Sequence, residues 1–365
     1  MRAVLAFAFA LVLGLSGAAR AAAPPQPEAG PRPCTRAEGA CTQWIALGSG
    51  QARSMVYATY PLDQANPRIR RALIMVHGTL RNADHYFTTA TGAAFLADAL
   101  GDTLVIAPAF RSAAPHCGDQ LQPHEVSWSC TGDSWRSGGA AVSDPELTSF
   151  DFVDALLTRL ADKHLFPNLK AVAIAGHSAG GQFVSRYEMA NCVHDKLGIA
   201  ISYVVANPSS YAWPAAVRPE PSGDGAPEAA ALGWQSETPH TGFTYGPFDG
   251  AKAESYDVWP YGLETRTSGY TAKFSDEQLR RQLAARPTTY LLSQVDVLPL
   301  GGFDGSPQAM AQGATRRARV EAFVQYVDAE LGGSAKILIV PECGHNDRCV
   351  YTTDAVLPVI FPPAP

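Results

Sequence analysis

The sequence predicts an α/β fold in which helices cover both faces of a mostly parallel central sheet. Apolar runs alternate with helical patterns along the chain, and this alternation is typical of strand–helix units. The runs are apolar at successive positions, as expected for central strands that are buried on both faces. The predicted strands are 72–77, 103–107, 171–175, 199–206, 288–293 and 335–340, with 41–47 and 54–60 as an antiparallel edge.

Three segments between these strands carry helix signals. The Asp-Pro pair at 144–145 has the form of an N-cap with a first-turn proline, and it precedes apolar residues at helical spacing. Ser275, followed by Gln278, predicts a capping box for a helix that ends near 286. The Ser-Pro pair at 306–307 predicts the start of a long helix with an apolar stripe that runs to 331.

Residues 1–23 have the pattern of a secretory signal peptide. Arg2 precedes an apolar run from 3 to 15, and Ala19-Arg20-Ala21 offers a small-residue cleavage site. The run is shorter than the roughly 20 apolar residues of a membrane span, and an uncleaved N-terminal anchor is the alternative. We therefore expect a secreted or periplasmic protein without a membrane anchor after cleavage, in which residues 24–365 form one α/β domain.

The charge distribution excludes some classes of partner. The formal net charge is −6, and no stretch of the chain is rich in Lys and Arg. Binding to a polyanion requires clustered positive charge, so the sequence indicates that nucleic acid is not a partner. Anionic membrane surfaces are disfavoured for the same reason, and the sequence leaves the oligomeric state open.

The chain has seven cysteines, all of them after residue 33. Export favours disulfides, and proximity along the chain suggests three pairs: Cys34 with Cys41, Cys117 with Cys130, and Cys343 with Cys349. Cys192 would stay unpaired, and other connectivities are open on sequence alone. A metal site at Cys343, His345 and Cys349 is the alternative, but no second ligand pair of the usual spacing accompanies it, so no metal is expected.

A long insertion interrupts the regular alternation. About 80 residues separate the strand that ends near 207 from the strand that begins near 288. A structureless loop of this length is rare in a compact domain unless it is functional, so the sequence predicts an inserted cap at about 211–286. Four aromatic residues in and near the insertion are candidates for an apolar substrate site, or else for the core of the cap itself: Trp128, Tyr211, Trp213 and Trp259.

A candidate nucleophile lies between a predicted strand and a predicted helix. Gly176-His177-Ser178-Ala179-Gly180 follows the strand at 171–175 and leads into a helical pattern. Flanking glycines allow a sharp, strained turn that exposes a Ser hydroxyl above the sheet. The pentapeptide alone is a weak signal, and an ordinary glycine-rich connection is the alternative. The position between strand and helix is what favours Ser178 as a nucleophile.

Candidates for a catalytic base follow Ser178 in the chain. A Ser hydroxyl is a poor nucleophile without a neighbouring base. The segment at 176–180 resembles the nucleophile turn of the serine α/β hydrolases, in which the acid and then the base follow the nucleophile in the chain. That resemblance implies a base among His194, His240 and His345, the three histidines after Ser178. His194 follows the predicted helix that begins after residues 176–180, and His240 lies in the predicted cap. His345 comes directly after the last predicted strand, at its carboxyl end, and is therefore the predicted base.

The predicted acid is Asp296. It ends the strand before the one that leads to His345, and Pro299 soon stops that strand. A carboxylate in this place would orient the imidazole of His345 and stabilise its protonated form. Asp304 is the second choice, and Asp249 and Asp257 in the predicted cap are weaker ones.

The turn after the strand at 72–77 is a candidate oxyanion-binding segment. His77-Gly78-Thr79 follows directly on the apolar run. Backbone N–H groups from such a turn and from the residue after the nucleophile can hold the oxygen of a tetrahedral intermediate. We therefore expect an oxyanion hole formed by the N–H groups of Thr79 and Ala179, with Leu80 as the alternative to Thr79. His77 is expected to hold this turn by hydrogen bonds.

Taken together, these segments resemble the serine α/β hydrolases over roughly residues 54–360. The matching pieces are the His-Gly pair at 77–78, the elbow at 176–180, Asp296 and His345, in the order typical of that family. Three further stretches resemble a microbial group of exported, esterase-like members: 77–84, 206–211 and 311–316. The oxyanion segment lacks the Gly-Gly extension of lipase-type esterases, so their short-acyl specificity does not carry over.

The resemblance implies an α/β-hydrolase fold with an inserted cap, and a serine esterase that uses Ser178, His345 and Asp296. It implies hydrolysis of a small-molecule or polymeric carboxylic ester through an acyl-enzyme, without a metal or organic cofactor. An amidase or peptidase with the same triad is one alternative, and a catalytically silent hydrolase fold that serves as a binding protein is another. The intact set of three residues disfavours the silent form.

Overall fold

A computed structural model describes residues 31–131, 134–221, 239–240, 242–266 and 269–362. The described residues from Pro33 onward belong to one compact unit. The predicted signal peptide at 1–23 lies outside the described residues. Within the described part of the chain, no helix has the length and apolar character needed to cross a membrane.

The core of the fold is an eight-stranded sheet, and a separate pair of strands lies in the insertion. The order across the large sheet is β1-β2-β4-β3-β5-β6-β9-β10. The strands are β1 (Thr42–Ala46), β2 (Arg53–Ala58), β3 (Arg71–Val76), β4 (Thr103–Pro108), β5 (Ala171–His177), β6 (Ala200–Ala206), β7 (Val217–Pro221), β8 (Phe243–Pro247), β9 (Thr288–Ser293) and β10 (Lys336–Val340).

The sheet is parallel from β4 to β10 and antiparallel only where β2 pairs with β1 and with β4. The predicted mostly parallel sheet with an antiparallel edge is therefore confirmed. Since parallel strands end at the same edge, the residues that follow β3, β5, β6, β9 and β10 converge there. The predicted nucleophile, base, acid and oxyanion residues all lie at or a few residues beyond these strand ends.

Helices pack on both faces of this sheet, as predicted. Alternate residues of β3 show the division, because Ile74 joins the core under the helices Ser149–Ala161 and Ala179–Ala190, whereas Leu73 and Met75 join the core under the helix Ala83–Leu96. The helices among the described residues are α1 (Ala83–Leu96), α2 (Ser149–Ala161), α3 (Ala179–Ala190), α4 (Asp276–Ala285), α5 (Pro307–Met310), α6 (Arg316–Leu331), α7 (Asp347–Tyr351) and α8 (Leu357–Ile360).

Local side-chain caps decide where the helices begin. The Ser275–Gln278 capping box is confirmed at the start of α4. The predicted start at 144–145 is wrong, because α2 is capped by Thr148 and Asp151 and the residues before it form a turn. The predicted long helix from 306 is two helices, since Gly313 adopts a φ of 143° between α5 and α6.

The insertion at 211–286 packs against the helices beside it. Its strands β7 and β8 form an antiparallel pair. The Tyr245 hydroxyl donates to the carbonyl oxygen of Ala322 in α6, at 2.8 Å, and the Trp213 ring lies against the Phe323 ring. Residues 222–238 of the insertion lie outside the described residues.

The connection from β5 to α3 leaves no room for a side chain at two glycines. A Cβ atom at Gly176 would collide with the carbonyl of Gly180, and one at Gly180 would collide with the carbonyl of Val76 on β3. Both obstacles are backbone atoms, which cannot move aside as the end of a flexible side chain can. Close backbone packing therefore fixes the position of the elbow relative to the sheet.

Gly180→Ala should destabilise the fold by about 3 kcal/mol, because β3 or α3 must shift to admit the methyl group. Urea unfolding of the variant and the wild type measures this difference. Gly92→Ala is the matched control, since a Cβ there meets no atom within 4 Å and alanine favours the helix by up to about 1 kcal/mol. Equal stability of the two variants would contradict the packing argument.

Candidate active site

Ser178 occupies a strained position at the carboxyl end of β5. Its φ of 58° and ψ of −119° lie in a region that residues with a Cβ rarely adopt. The Ser178 N–H donates to the Ala206 carbonyl oxygen at the end of β6, at 2.9 Å. The neighbouring strand therefore holds the backbone in this conformation and aims the hydroxyl away from the sheet.

The structure brings Ser178, His345 and Asp296 into one chain of hydrogen bonds. His345 Nε2 lies 2.9 Å from Ser178 Oγ, and His345 Nδ1 lies 2.7 Å from Asp296 Oδ2. A carboxylate accepts only, so Nδ1 carries the proton and Nε2 is free to accept from the Ser178 hydroxyl. This arrangement makes the imidazole a base for the Ser178 proton.

The alternative residues for the base and the acid are bound elsewhere. Asp304 accepts a hydrogen bond from the Tyr261 hydroxyl at 2.9 Å. His194 Nδ1 lies 2.9 Å from the Tyr203 hydroxyl, and His240 pairs with Glu321. The geometry therefore favours Asp296 and His345 over each of these alternatives.

Arg316 holds the second oxygen of Asp296. Its Nη1 donates to Asp296 Oδ1 at 3.1 Å, and its Nε donates to Ser209 Oγ at 2.8 Å. Its Nη2 donates to the carbonyl oxygens of Leu300 and Gly301, at 2.7 and 3.0 Å. Burial lowers the pKa of the Arg316 guanidinium, and the Asp296 carboxylate raises it again. Sequence analysis did not identify this role, although Arg316 closes one of the stretches that carry the family resemblance.

The loop that carries His345 is tied at both ends. The disulfide between Cys343 and Cys349 encloses it. Asp347 also binds α1, because its carboxylate lies 3.0 Å from His85 Nε2 and accepts from the Thr89 hydroxyl at 3.0 Å. A covalent link and hydrogen bonds to α1 therefore limit the positions that the imidazole of His345 can take.

Two buried histidines lie behind the site. His77 Nδ1 donates to the Gly78 carbonyl oxygen at 2.9 Å, and its Nε2 accepts from the Phe110 N–H at 3.1 Å. Burial lowers the pKa of His77 to about 4, which keeps the ring neutral. His77 thus holds the turn after β3, as predicted. The ring centroid of His177 lies 4.5 Å from that of His345, and burial places the His177 pKa well below its ordinary value.

An open cavity of about 380 Å³ lies beside Ser178. Thr79 lines it together with Ser178 and His345, and Ala179 is the first residue of α3, where N–H groups have no acceptor within the helix. Both predicted oxyanion donors therefore flank the nucleophile. The lining residues are Gly78, Thr79, Leu80, Asn82, His85, Tyr86, His177, Ser178, Gly301, Gly302, His345 and Asp347.

The four aromatic residues predicted to bind substrate do not line this cavity, which corrects the prediction. Trp128 is buried and donates from Nε1 to Ser54 Oγ at 3.1 Å. Tyr211 and Trp213 are fully buried against Phe323 of α6. Trp259 donates from Nε1 to the Ser137 carbonyl oxygen at 3.0 Å. Their large apolar area stabilises the packing between helices instead.

The described part of the predicted cap lies apart from this cavity, and residues 222–238 of the insertion lie outside the described residues. No described residue of 211–286 lines the cavity beside Ser178. Tyr261 contacts the segment that follows Asp296, because its hydroxyl donates to the Asp304 carboxylate. Within the described residues, the insertion therefore extends the helical layer and leaves the cavity open.

The structure forms all three predicted disulfides. The Cα–Cα distances are 5.5 Å for Cys34–Cys41, 6.2 Å for Cys117–Cys130 and 5.8 Å for Cys343–Cys349. Cys192 is the free cysteine. The alternative metal site does not fit, because Cys343 and Cys349 are bonded to each other and His345 is engaged by Ser178 and Asp296.

Arg316→Met should lower the free energy of unfolding by about 3 to 5 kcal/mol, because it leaves the Asp296 carboxylate buried with one partner fewer. Urea unfolding measures the loss. The matched control is Arg281→Met, which removes an exposed ion pair with Glu277 and should change stability by about 0.5 kcal/mol at most. Similar losses in both variants would show that burial of the ion pair is unimportant.

The neutral state of His77 predicts a pH dependence of stability. The unfolded chain binds a proton at His77 near pH 6.5, whereas the folded chain binds it only near pH 4. The stability from this group is therefore complete above pH 6.5 and is lost as the pH falls, by about 2 kcal/mol at pH 5. His77→Gln, which keeps a donor and an acceptor, should reduce the difference in unfolding free energy between pH 7 and pH 5 by that amount.

Exposed His164→Gln is the control for this pH experiment, since it leaves His77 in place. It should keep the wild-type difference between pH 7 and pH 5. Part of that difference remains in His77→Gln because the buried His177 also resists protonation. An unchanged difference in His77→Gln would contradict the assignment.

Known proteins share this architecture. A sequence model of the alpha/beta hydrolase family matches residues 73–357. Poly(aspartic acid) hydrolase-1 from Sphingomonas sp. KT-1 superimposes with a TM-score of 0.58 at 20% identity, over 88% of this chain and 97% of that one. LpqC, a poly(3-hydroxybutyrate) depolymerase from Bordetella parapertussis, superimposes with a TM-score of 0.56 at 20% identity, over 87% of each chain.

No curated protein matches the chain in sequence. At 20% identity the two solved structures show a common fold and no more. The family match extends over more than half of the 365 residues, from within β3 to the start of α8. The chain therefore belongs to the alpha/beta hydrolase family.

Proposed function

We propose that this protein is an exported serine hydrolase that cleaves carboxylic esters through an acyl-enzyme on Ser178. The observation that carries the proposal is the continuous set of hydrogen bonds from Asp296 through His345 to Ser178. It lies at an open cavity on a strained turn, where the hydroxyl is accessible to a substrate. Nucleophile, base and orienting acid in this order are the requirements of acyl transfer.

The reaction begins when His345 Nε2 accepts the Ser178 proton as Oγ attacks the ester carbonyl carbon. The carbonyl oxygen becomes an oxyanion, and the N–H groups of Thr79 and Ala179 hold it, each worth about 3 kcal/mol in the transition state. Asp296 stabilises the imidazolium that forms. His345 then protonates the leaving alcohol. In the second half of the reaction His345 takes a proton from a water molecule that attacks the acyl carbon, and it returns a proton to Ser178 Oγ as the acid is released.

The surroundings of His345 support this role for the ring. Asp296 faces Nδ1, and the positive charge on Arg316 is held on the other oxygen of the carboxylate. His177 lies next to His345 but stays neutral, because burial and the nearby His345 lower its pKa. The imidazolium at His345 therefore forms beside one carboxylate and one neutral ring.

Export is supported by the three disulfides, which are stable in oxidising compartments, and by the predicted signal peptide. An ester substrate fits a cavity in which backbone N–H groups are the donors for the carbonyl oxygen. LpqC is named for a polyester and the Sphingomonas enzyme for poly(aspartic acid), so both small and polymeric substrates belong in the assay.

Ser178→Ala should abolish covalent labelling by a fluorophosphonate probe and lower kcat for p-nitrophenyl butyrate by about 10⁴-fold or more. Mass spectrometry locates the labelled residue, and absorbance follows the ester. Exposed Ser49→Ala is the matched control and should keep both properties. Absence of labelling in the wild type, or equal labelling of Ser178→Ala, would refute the proposal and favour a silent binding protein.

A paired assay separates an esterase from an amidase. The wild type is tested on p-nitrophenyl butyrate and on the matching p-nitroanilide, which differ only in the leaving atom. We expect kcat/KM to favour the ester by at least about 100-fold, because p-nitrophenolate leaves without being protonated, whereas the anilide nitrogen must take a proton from His345 as the C–N bond breaks. Preference for the anilide would assign the same triad to an amidase or peptidase.

A further inference from the structure

Three exposed leucines lie in the two turns that contribute Leu80 and Gly301–Gly302 to the cavity lining. Leu80 is 79% exposed, Leu300 is 61% exposed and Leu298 is 58% exposed. They are three of the seven large apolar side chains with high exposure among the described residues. A scattered exposed leucine needs no explanation, but several at one site indicate a surface that contacts an apolar partner.

The leucines belong to two turns that approach each other at the cavity. Leu80 lines the cavity and follows Thr79, the proposed oxyanion donor. Leu298 and Leu300 precede Gly301 and Gly302, which line the cavity as well. A Cβ placed on Gly302 would lie 3.3 Å from Cγ2 of Thr79, so the two turns are neighbours at the mouth. We call Leu80, Leu298 and Leu300 the leucine rim.

The buried Arg316 and the partly buried Arg81 hold the two turns from the protein side. Arg316 donates to the carbonyl oxygens of Leu300 and Gly301. Arg81 donates to the carbonyl oxygen of Cys117 at 2.9 Å and pairs with Asp119. The backbone of each turn is therefore fixed while its leucine side chains point outward, so their exposure is a property of the ordered fold.

The charges near the rim restrict what can bind there. Residues 297–303 contain no charged side chain. Arg81 and Arg316 are neutralised by Asp119 and Asp296 on the protein side. The cavity wall also carries the Asp347 carboxylate, paired with His85. A polyanion meets no unpaired arginine at these turns, whereas a neutral apolar chain can cover the leucines.

We propose that the leucine rim docks a neutral aliphatic polyester, so that a polymer chain lies across Leu298 and Leu300 while one of its esters enters the cavity at Ser178. The inference rests on the proposed esterase function and names its substrate class. A cavity of about 380 Å³ holds only a short segment of such a chain. The remainder of the polymer must lie outside the mouth, where the rim offers apolar contact.

The test is the double variant Leu298→Ser/Leu300→Ser, which alters the rim outside the cavity and leaves Leu80 in place. The matched control is Phe95→Ser/Leu96→Ser, two similarly exposed residues at the opposite end of α1. Each is compared with the wild type on poly(3-hydroxybutyrate) granules and on soluble p-nitrophenyl butyrate. Adsorption to the granules is measured in the Ser178→Ala background, so that binding is seen without turnover.

Because two leucine contacts are lost, the affinity of the variant for the granules should fall by about 10-fold or more. The rate of acid release from the granules should fall by a similar factor. The kcat/KM for p-nitrophenyl butyrate should stay within about twofold, because no reacting group is touched. The control double variant should match the wild type on both substrates. Circular dichroism and urea unfolding show that each variant is folded.

Three outcomes would overturn the inference. One is unchanged adsorption and granule hydrolysis in the rim variant. Another is an equal loss in the control variant, which would indicate a nonspecific effect of surface polarity. The last is a wild type that cleaves the soluble ester but neither adsorbs to nor cleaves the granules. Failure of the proposed function is distinct, because fluorophosphonate would then leave the wild type unlabelled at Ser178.

Discussion

The buried ion pair between Arg316 and Asp296 is the interaction on which the rest of the site depends. A charge removed from water is tolerated only when it is paired and its hydrogen bonds are satisfied. The guanidinium meets this condition with Asp296, Ser209 and two carbonyl oxygens of the loop at 300–301. One side chain thus fixes the acid and shapes one wall of the cavity. It also leaves the other oxygen of Asp296 free to orient His345.

Backbone hydrogen bonding and close packing hold Ser178 in its strained conformation. The positive φ is unfavourable for a residue with a Cβ, by about 1 to 3 kcal/mol. The Ser178 N–H is bound to the end of β6, and the glycines beside it allow β3 and α3 to approach closely. The reactive conformation is therefore prepared by the folded sheet before any substrate binds.

Much of this site could be predicted because strand ends are readable in a sequence. Ser178, Asp296 and His345 each follow an apolar strand, and parallel strands bring their carboxyl ends to one edge. The aromatic residues carry no such positional rule. The sequence alone does not tell whether Trp128 and Trp213 line a cavity or belong to the core. In the structure both are buried in the core. The role of Arg316 could not be predicted from the sequence, because a buried arginine and a solvated helix arginine are the same residue type and differ only in their partners.

The ionised groups near the cavity are paired within the protein, and this arrangement is compatible with the neutral substrate that we propose. Arg81 and Arg316 donate hydrogen bonds to backbone carbonyl oxygens. Their positive charges are paired with the carboxylates of Asp119 and Asp296. His77 and His177 stay neutral because burial opposes protonation. The wall of the cavity is formed by glycines, Thr79, Leu80 and several polar and aromatic side chains, together with the Asp347 carboxylate, which is paired with His85. In the proposed reaction, the charge that develops during ester attack falls on the oxyanion and on His345, where the proposed N–H donors and Asp296 would stabilise it.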